Sequence, residues 1–160
     1  MTKVAILGFG TVGSGVAEVL SKNSQGIARR SGGEIQVKYI LDVRDFPDSP
    51  FKDCFVKDFS IIENDPEVDV VVETIGGAKV ALEFTTRALK AGKSVVSSNK
   101  ELVATHGYEL LQLAMANGVS YLFEASVGGG IPILRPLTNC LAANEVEQIT
   151  GILNGTTNYI

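Results

Sequence analysis

The sequence predicts an α/β fold, a doubly wound and mostly parallel sheet, and three observations carry that expectation. Short β-branched or apolar runs alternate with longer segments of helical periodicity along the chain. The run Asp69-Val-Val-Val-Glu-Thr-Ile75 is continuously apolar at its centre, as a strand covered on both faces must be. No internal repeat or low-complexity linker breaks the pattern. Parallel neighbours need helical crossovers of one hand, which this alternation supplies, and ligands then sit at the carboxyl ends of the strands.

The elements follow in order. Residues 3–7 read as the first strand, followed by Gly8-Phe9-Gly10 and a helical stripe of Val12, Val16, Val19 and Leu20. Residues 21–33 are polar and contain glycine, so they read as loop, and residues 35–41 read as the second strand, ending at Asp42. Residues 45–50 are rich in Pro, Asp and Ser and are expected to be loop. Residues 51–59 hold a short strand and 61–64 a turn of helix before Pro66. After the strand at 69–75 comes a helix over 80–91, stopped by Gly92, then a strand over 94–97. A helix over 101–116 sets Val103, Gly107, Leu110 and Ala114 on one face and ends at Asn117-Gly118. A strand over 119–123, the Gly128-Gly129-Gly130 loop, a helix over 133–141 after Pro132 and a last strand over 146–153 complete the reading.

At 160 residues, 45% hydrophobic and 20% charged, the chain has the size and composition of one globular domain. A formal charge of -4 with no basic run argues against nucleic acid as the main partner, because phosphate binding rests on clustered Lys and Arg. Cys54 and Cys140 form neither a zinc pattern nor a CxxC pair. The N-terminal apolar run is too short for a signal peptide, and no stretch of about 18 apolar residues suggests a membrane span. A cytoplasmic protein is expected, which also disfavours the formal glycosylation sequon Asn154-Gly155-Thr156. The chain closes on apolar residues without a polar tail, as a segment of something longer would.

Seventeen glycines stand out, since close backbone approaches are what phosphate-binding loops need. Gly8-Phe9-Gly10-Thr11-Val12-Gly13 matches GxGxxG between a predicted strand and helix, the dinucleotide fingerprint of a Rossmann-type sheet. Gly8 would permit the turn, Gly10 would admit a pyrophosphate to the backbone and Gly13 would let the helix pack on the strand. Free N–H groups of Thr11 and Val12 and the helix dipole would hold the anion. Asp42 sits where an acid accepts from the adenosine ribose of NAD. Arg44 is placed either to pair with the 2'-phosphate of NADP or to lie in a solvated loop, so the cofactor reads as NAD(P).

Three further groups follow strand ends. Thr74 and the backbone of Gly76 are expected to line the nicotinamide half of the cleft. Lys100, in Ser97-Ser98-Asn99-Lys100, sits at a helix N-terminus, where the macrodipole disfavours a cation. A nearby ligand would explain it, with Lys100 donating to a substrate oxygen or exchanging a proton; the plainer reading is an exposed lysine. The segment Phe123-Glu-Ala-Ser-Val-Gly-Gly-Gly-Ile-Pro132 crowds carbonyls around one carboxylate, either a nest for a hard cation or a packing turn. His106, on the helix beside Gly107, reads as structural or solvent-facing.

Five motifs in order, Gly8 to Gly15, Glu73 to Gly77, Ala91 to Lys100, Glu124 to Pro132 and Gly151 to Ile160, resemble those of the homoserine dehydrogenase family. The resemblance implies NAD(P)-dependent interconversion of L-homoserine and L-aspartate 4-semialdehyde, a step toward threonine, methionine and isoleucine. It implies that Lys100 contacts the cofactor and substrate region and acts in catalysis. It also implies that a monovalent cation such as sodium is held by Glu124, Val127, Gly129 and Ile131. Residues 1–150 would be the NAD(P)-binding domain and 151–160 the start of a substrate-binding and dimerising domain whose remainder is absent, the longer protein being a homo-oligomer. Two rivals stand beside this reading. Sugar oxidoreductases carry an acid-lysine-proline signature, and Ser98-Asn99-Lys100-Glu101 lacks the proline. A non-catalytic NAD(P)-binding regulatory module would bind without turnover.

Overall fold

A computed structural model of the chain describes residues 1–151. Six parallel strands form one sheet in the order β3-β2-β1-β4-β5-β6: β1 is Thr2–Leu7, β2 Ile35–Leu41, β3 Phe55–Val56, β4 Val70–Glu73, β5 Ser94–Ser97 and β6 Tyr121–Leu122. The chain steps outward from β1 to β3, then returns to the other side of β1, so the topological switch point lies between β1 and β4. Helices α1 (Thr11–Lys22), α2 (Ser24–Ser31), α3 (Phe59–Glu63), α4 (Ala78–Lys90) and α5 (Lys100–Ala116) make the connections.

Alternation along the strands divides the core. Val4, Ile6 and Ile40 point to one face with Ala17 of α1. Ala5, Leu7, Val71 and Val95 point to the other with Ala81, Ala88 and Leu89 of α4 and Leu102, Leu110 and Ala114 of α5. Each large side chain fully buried in this way stabilises the fold by about 1.5–3 kcal/mol before entropy is counted. Phe59 and Phe84 stack with ring centroids 4.6 Å apart, and the Arg87 guanidinium covers Phe59 at 4.8 Å while pairing with Glu63. Among the described residues no helix is long and apolar enough to cross a membrane.

The structure departs from the sequence reading in three places. Residues 21–33 are not loop: α1 runs to Lys22 and α2 follows, closed by Gly32 at φ +79 with Arg29 and Arg30 in its last turn, where cations suit the dipole. The inward stripe of α1 is Gly13, Val16, Ala17 and Leu20, its two fully buried members being small where the helix presses on the sheet, while Val12 and Val19 are exposed. No strand forms over residues 146–151, where Val146 and Ile149 stand exposed with no face to cover them; residues 152 and 153 lie outside the described residues, as do Asn154 to Tyr159.

Candidate functional site

The turn after β1 is built by close approach. Gly8, at φ +90, donates its N–H to the Leu41 carbonyl at 2.8 Å, and a Cβ there would meet the Thr74 carbonyl oxygen at 3.0 Å. Thr74 ties the turn to β4: its Oγ1 donates within 2.8 Å of the Leu7 carbonyl and 3.0 Å of the Gly8 carbonyl, and its N–H donates to Leu7 at 2.9 Å. Gly13 lets α1 descend onto this arrangement. Gly10, by contrast, faces open space, and as N-cap of α1 it offers no side chain to the helix. The first N–H groups of α1, at Thr11, Val12 and Gly13, have no partner from within the helix.

Asp42 and Arg44 come together beside this turn. Asp42 Oδ2 accepts the Phe9 N–H at 2.7 Å and Arg44 Nη2 at 2.9 Å; Oδ1 accepts the Arg44 N–H at 2.9 Å and Nε at 3.0 Å. The Arg44 side chain and these backbone N–H groups hold the buried Asp42 carboxyl well below the usual carboxylate range, against its desolvation. Arg44 itself is largely exposed and stacks over Phe46, 5.1 Å from the ring centroid. Lys57, which the sequence reading missed, places Nζ within 2.6–3.1 Å of the carbonyls of Asp42, Val43 and Arg44, and within 2.8 Å of Asp45. Its position directly after β3, which lies beside β2, was the signal that could have found it.

These residues line a cleft of about 460 Å³ that also takes in Gly8, Phe9, Gly10, Thr74, Ile75 and Gly76. A larger hollow, about 760 Å³, lies between α1 and residues 45–51 with Phe9, Phe46 and Phe51 in its wall. Of the motif residues it takes in only Phe9 and Ser14 and none that follows β2 or β4 directly, whereas the smaller cleft joins the ends of β1, β2 and β4, so the smaller cleft is the candidate site.

A second constellation joins the ends of β4 and β5. Glu73 and Ser97 are register partners with no solvent exposure. Glu73 Oε1 accepts the Ile75 N–H at 2.7 Å, and Oε2 accepts the Ser97 hydroxyl at 2.5 Å. Burial pushes the Glu73 carboxyl above its usual range, opposed by those hydrogen bonds. Asn99 is the N-cap of α5, its Oδ1 accepting the Leu102 N–H at 3.1 Å, and Lys100 is the exposed first residue of that helix. Sequence reasoning placed Lys100 at a helix start but missed that Glu73, Ser97 and Asn99 act together.

The Glu124 loop turns back on itself. The Glu124 carboxylate accepts the N–H groups of Ile133, Leu134 and Arg135 at 2.5, 2.8 and 3.0 Å, which lowers its pKa and seats the short helical turn that contains Pro136–Cys140. Gly128 and Gly129 take positive φ, and the Ile131 N–H closes on the Gly128 carbonyl at 3.0 Å. Among the described residues no group of three or more His, Cys, Asp or Glu gathers around a common point, and Glu124 is the one carboxylate of this loop. His106 lies on α5 within 3.2 Å of Glu109, a surface pair away from the cleft.

A parallel sheet of order 3-2-1-4-5-6, with an open glycine turn and an uncapped helix start beside its switch point, defines a dinucleotide-binding α/β domain. Comparison with known proteins narrows this. Residues 8–124 match the family described as "Homoserine dehydrogenase, NAD binding domain", and residues 132–160 match "Homoserine dehydrogenase". The chain belongs to the homoserine dehydrogenase family. It is 44% identical over 160 residues to the homoserine dehydrogenase of Pseudomonas aeruginosa and 40% identical over 163 residues to that of Bacillus subtilis, in each case across 99% of this chain and 37% of the relative. A homoserine dehydrogenase structure from Thiobacillus denitrificans superposes with a TM-score of 0.81 at 40% identity, covering 89% of this chain and 34% of that one. A hyperthermophilic archaeal homoserine dehydrogenase in complex with NADPH gives 0.70 at 28% identity, covering 85% and 47%. The chain thus spans just over a third of the length of the curated relatives it matches.

Proposed function

We propose that this chain is the NAD(P)-binding part of an oxidoreductase that interconverts L-homoserine and L-aspartate 4-semialdehyde. The observation that carries the reading is the turn at the switch point. Gly8 and Gly13 are forced by backbone contact, while Gly10 is forced by nothing in the chain, and the helix start beside it is left without a cap. A pyrophosphate on the N–H groups of Thr11, Val12 and Gly13 accounts for both. Asp42 or Arg44 would meet the adenosine ribose or its 2'-phosphate, and Thr74 and Gly76 would wall the nicotinamide half. When bound, the nicotinamide supplies hydride transfer at the alcohol or aldehyde carbon.

The chain's own residues orient and handle protons. Lys100, at the carboxyl edge of the sheet, would donate to the carbonyl oxygen or take the alcohol proton. Glu124, with the carbonyls of Val127, Gly129 and Ile131, offers the hard oxygen donors that suit a monovalent cation such as sodium, which would neutralise the carboxylate and fix the loop. Residues 151–160 would begin the substrate and dimerisation domain.

The test is homoserine oxidation by this chain and by a protein extended past Ile160. The expected result is NAD(P)H binding by both and turnover only by the extended one; binding without turnover in both leaves a regulatory module instead. Lys100→Ala in the extended protein should lower turnover by about 100-fold or more, in the range of general acid–base contributions, with cofactor affinity little changed. An unchanged rate removes Lys100 from the mechanism.

A further inference from the structure

At the carboxyl edge of the sheet, Leu41, Leu7, Glu73 and Ser97 stand side by side in register on the face covered by α4 and α5. Two members of that row are aliphatic, as a buried position demands. The third is a carboxylate with no solvent exposure, where an aliphatic side chain would fill the space without the cost of desolvating a charge. Its oxygens go to the segment after β4, which borders the cleft, and to the end of β5 beside it.

The hydrogen bonds run in one direction. The Asn99 N–H donates to Ser97 Oγ at 3.1 Å, and the Ser97 hydroxyl donates to Glu73 Oε2 at 2.5 Å. The second carboxylate oxygen takes the Ile75 N–H at 2.7 Å. The Asn99 side chain closes the ring from the other side: its Nδ2 donates to the carbonyls of Ile75 at 3.1 Å and Gly77 at 2.9 Å while its Oδ1 caps α5. Glu73 of β4 thus reaches across to β5, and Asn99 after β5 reaches back to the segment after β4. As the hydrogen bonds stand, both partners donate to Glu73: the Ile75 N–H can only donate, and the Ser97 hydroxyl, whose oxygen already takes the Asn99 N–H, gives its proton to the carboxylate. The groups held by this clasp are the Ile75–Gly76–Gly77 backbone, of which Ile75 and Gly76 wall the cleft, and the first turn of α5, which begins with Lys100.

We propose that Glu73 is a positioning residue, its buried carboxylate fixing Lys100 relative to the Ile75–Gly76 wall of the cofactor cleft by way of Ser97 and Asn99. The inference rests on the oxidoreductase reading above and adds to it a residue that touches neither cofactor nor substrate. Glu73→Gln keeps an oxygen for the Ile75 N–H but sets an NH2 group against Ser97, whose hydroxyl must turn its proton away and accept a second time, and Ser97→Ala removes the link while leaving the carboxylate its Ile75 N–H.

The experiment measures homoserine oxidation by the full-length enzyme carrying Glu73→Gln, Ser97→Ala, Lys100→Ala and the Glu73→Gln/Lys100→Ala pair. A displacement on the order of 1 Å at a reacting group costs about 100-fold, so kcat should fall about 10- to 100-fold in each of the first two variants, with the cofactor KM within about threefold of wild type. In the Lys100→Ala background, Glu73→Gln should cost less than about threefold more, because the two act as one unit. Near-normal kcat in folded variants overturns the proposal, as does a Glu73→Gln effect that multiplies with that of Lys100→Ala. A cofactor KM that rises in step with lost thermal stability also overturns it, since that is what a purely structural role predicts. If Glu73→Gln does not fold, Ser97→Ala and its pair with Lys100→Ala carry the same test. Wild-type enzyme without homoserine turnover removes the functional reading and this inference with it, whereas turnover indifferent to both substitutions removes the inference alone.

Discussion

A Cβ placed on Gly13 would stand 1.9 Å from the carbonyl oxygen of Gly8, deep inside van der Waals contact, and 2.8 Å from Thr74 Oγ1. Backbone and a twice-bonded hydroxyl cannot yield as a flexible side chain would, so Gly13→Ala must lift the start of α1 off the strand. Overpacking of this kind costs about 1–3 kcal/mol. Gly10→Ala is the control: at φ -82, with nothing within 4 Å of the added methyl, it should leave stability within about 1 kcal/mol of wild type. Urea unfolding should therefore separate the two variants, while NAD(P)H titration should show both losing affinity. Gly10→Ala binding as tightly as wild type would show that no pyrophosphate sits on that turn.

Arg44 has to choose between partners. Its guanidinium lies along Asp42, and a 2'-phosphate would compete for the same N–H groups. A charge-assisted hydrogen bond contributes about 1.5–3 kcal/mol, so Arg44→Ala should weaken NADPH by about tenfold or more if the phosphate wins, and NADH hardly at all. Equal losses for both cofactors, measured by calorimetry, would mean that Arg44 serves only to hold Asp42 and the glycine turn.

The parts of this site that were legible in the sequence are those carried by contiguous residues. The glycine turn, the strand-end threonine and the helix start at Lys100 each announce themselves over a few positions. The helix α2 did not, because only Ile27 and Ala28 of its eight residues are even half-buried and no apolar stripe marks it. Glu73 is visible as the one charge inside an apolar run, yet its partner Ser97 is set by the β4–β5 register, which depends on the sheet order and not on local pattern. Lys57 is hidden for the same reason, being brought to Asp42 by the β2–β3 pairing. The strand expected over 146–153 shows the reverse error over its described residues, 146–151: an apolar run is a strand only where an edge and a face receive it.

Acid should weaken the fold through the opposite edge of the sheet. Asp65 accepts from Lys38 Nζ at 2.5 Å, from the Tyr39 hydroxyl at 2.9 Å and from the Glu67 N–H at 2.9 Å, and the Lys38 contact above all pulls its pKa down to about 2. The folded value lies below the unfolded one of about 3.9, so the stabilisation is fully present above about pH 4 and is lost as pH falls through about 2. Asp65→Asn should flatten the acid limb of the stability curve in that window. Since this cluster lies far in the sheet from the glycine turn, cofactor affinity at neutral pH should not change; a parallel loss of binding would contradict the separation of the two ends.

The Glu124 loop makes the last prediction. Three consecutive backbone N–H groups converge on one carboxylate, an arrangement that holds residues 133–135 as a cap holds a helix start. If the carboxylate does only this, removing it releases those amides and nothing else. If it also shares a cation with the carbonyls of Val127, Gly129 and Ile131, the ion adds protection that scales with its concentration. Amide exchange measured in sodium and in a bulky ammonium salt of equal ionic strength distinguishes the two. With a cation, sodium slows exchange at Ile133, Leu134 and Arg135 in the wild type, and Glu124→Ala both speeds exchange there and abolishes the sodium effect. Without one, Glu124→Ala still speeds exchange, but the two salts give the same rates in the wild type, and the loop is then a packing turn whose carboxylate is fully occupied by the backbone.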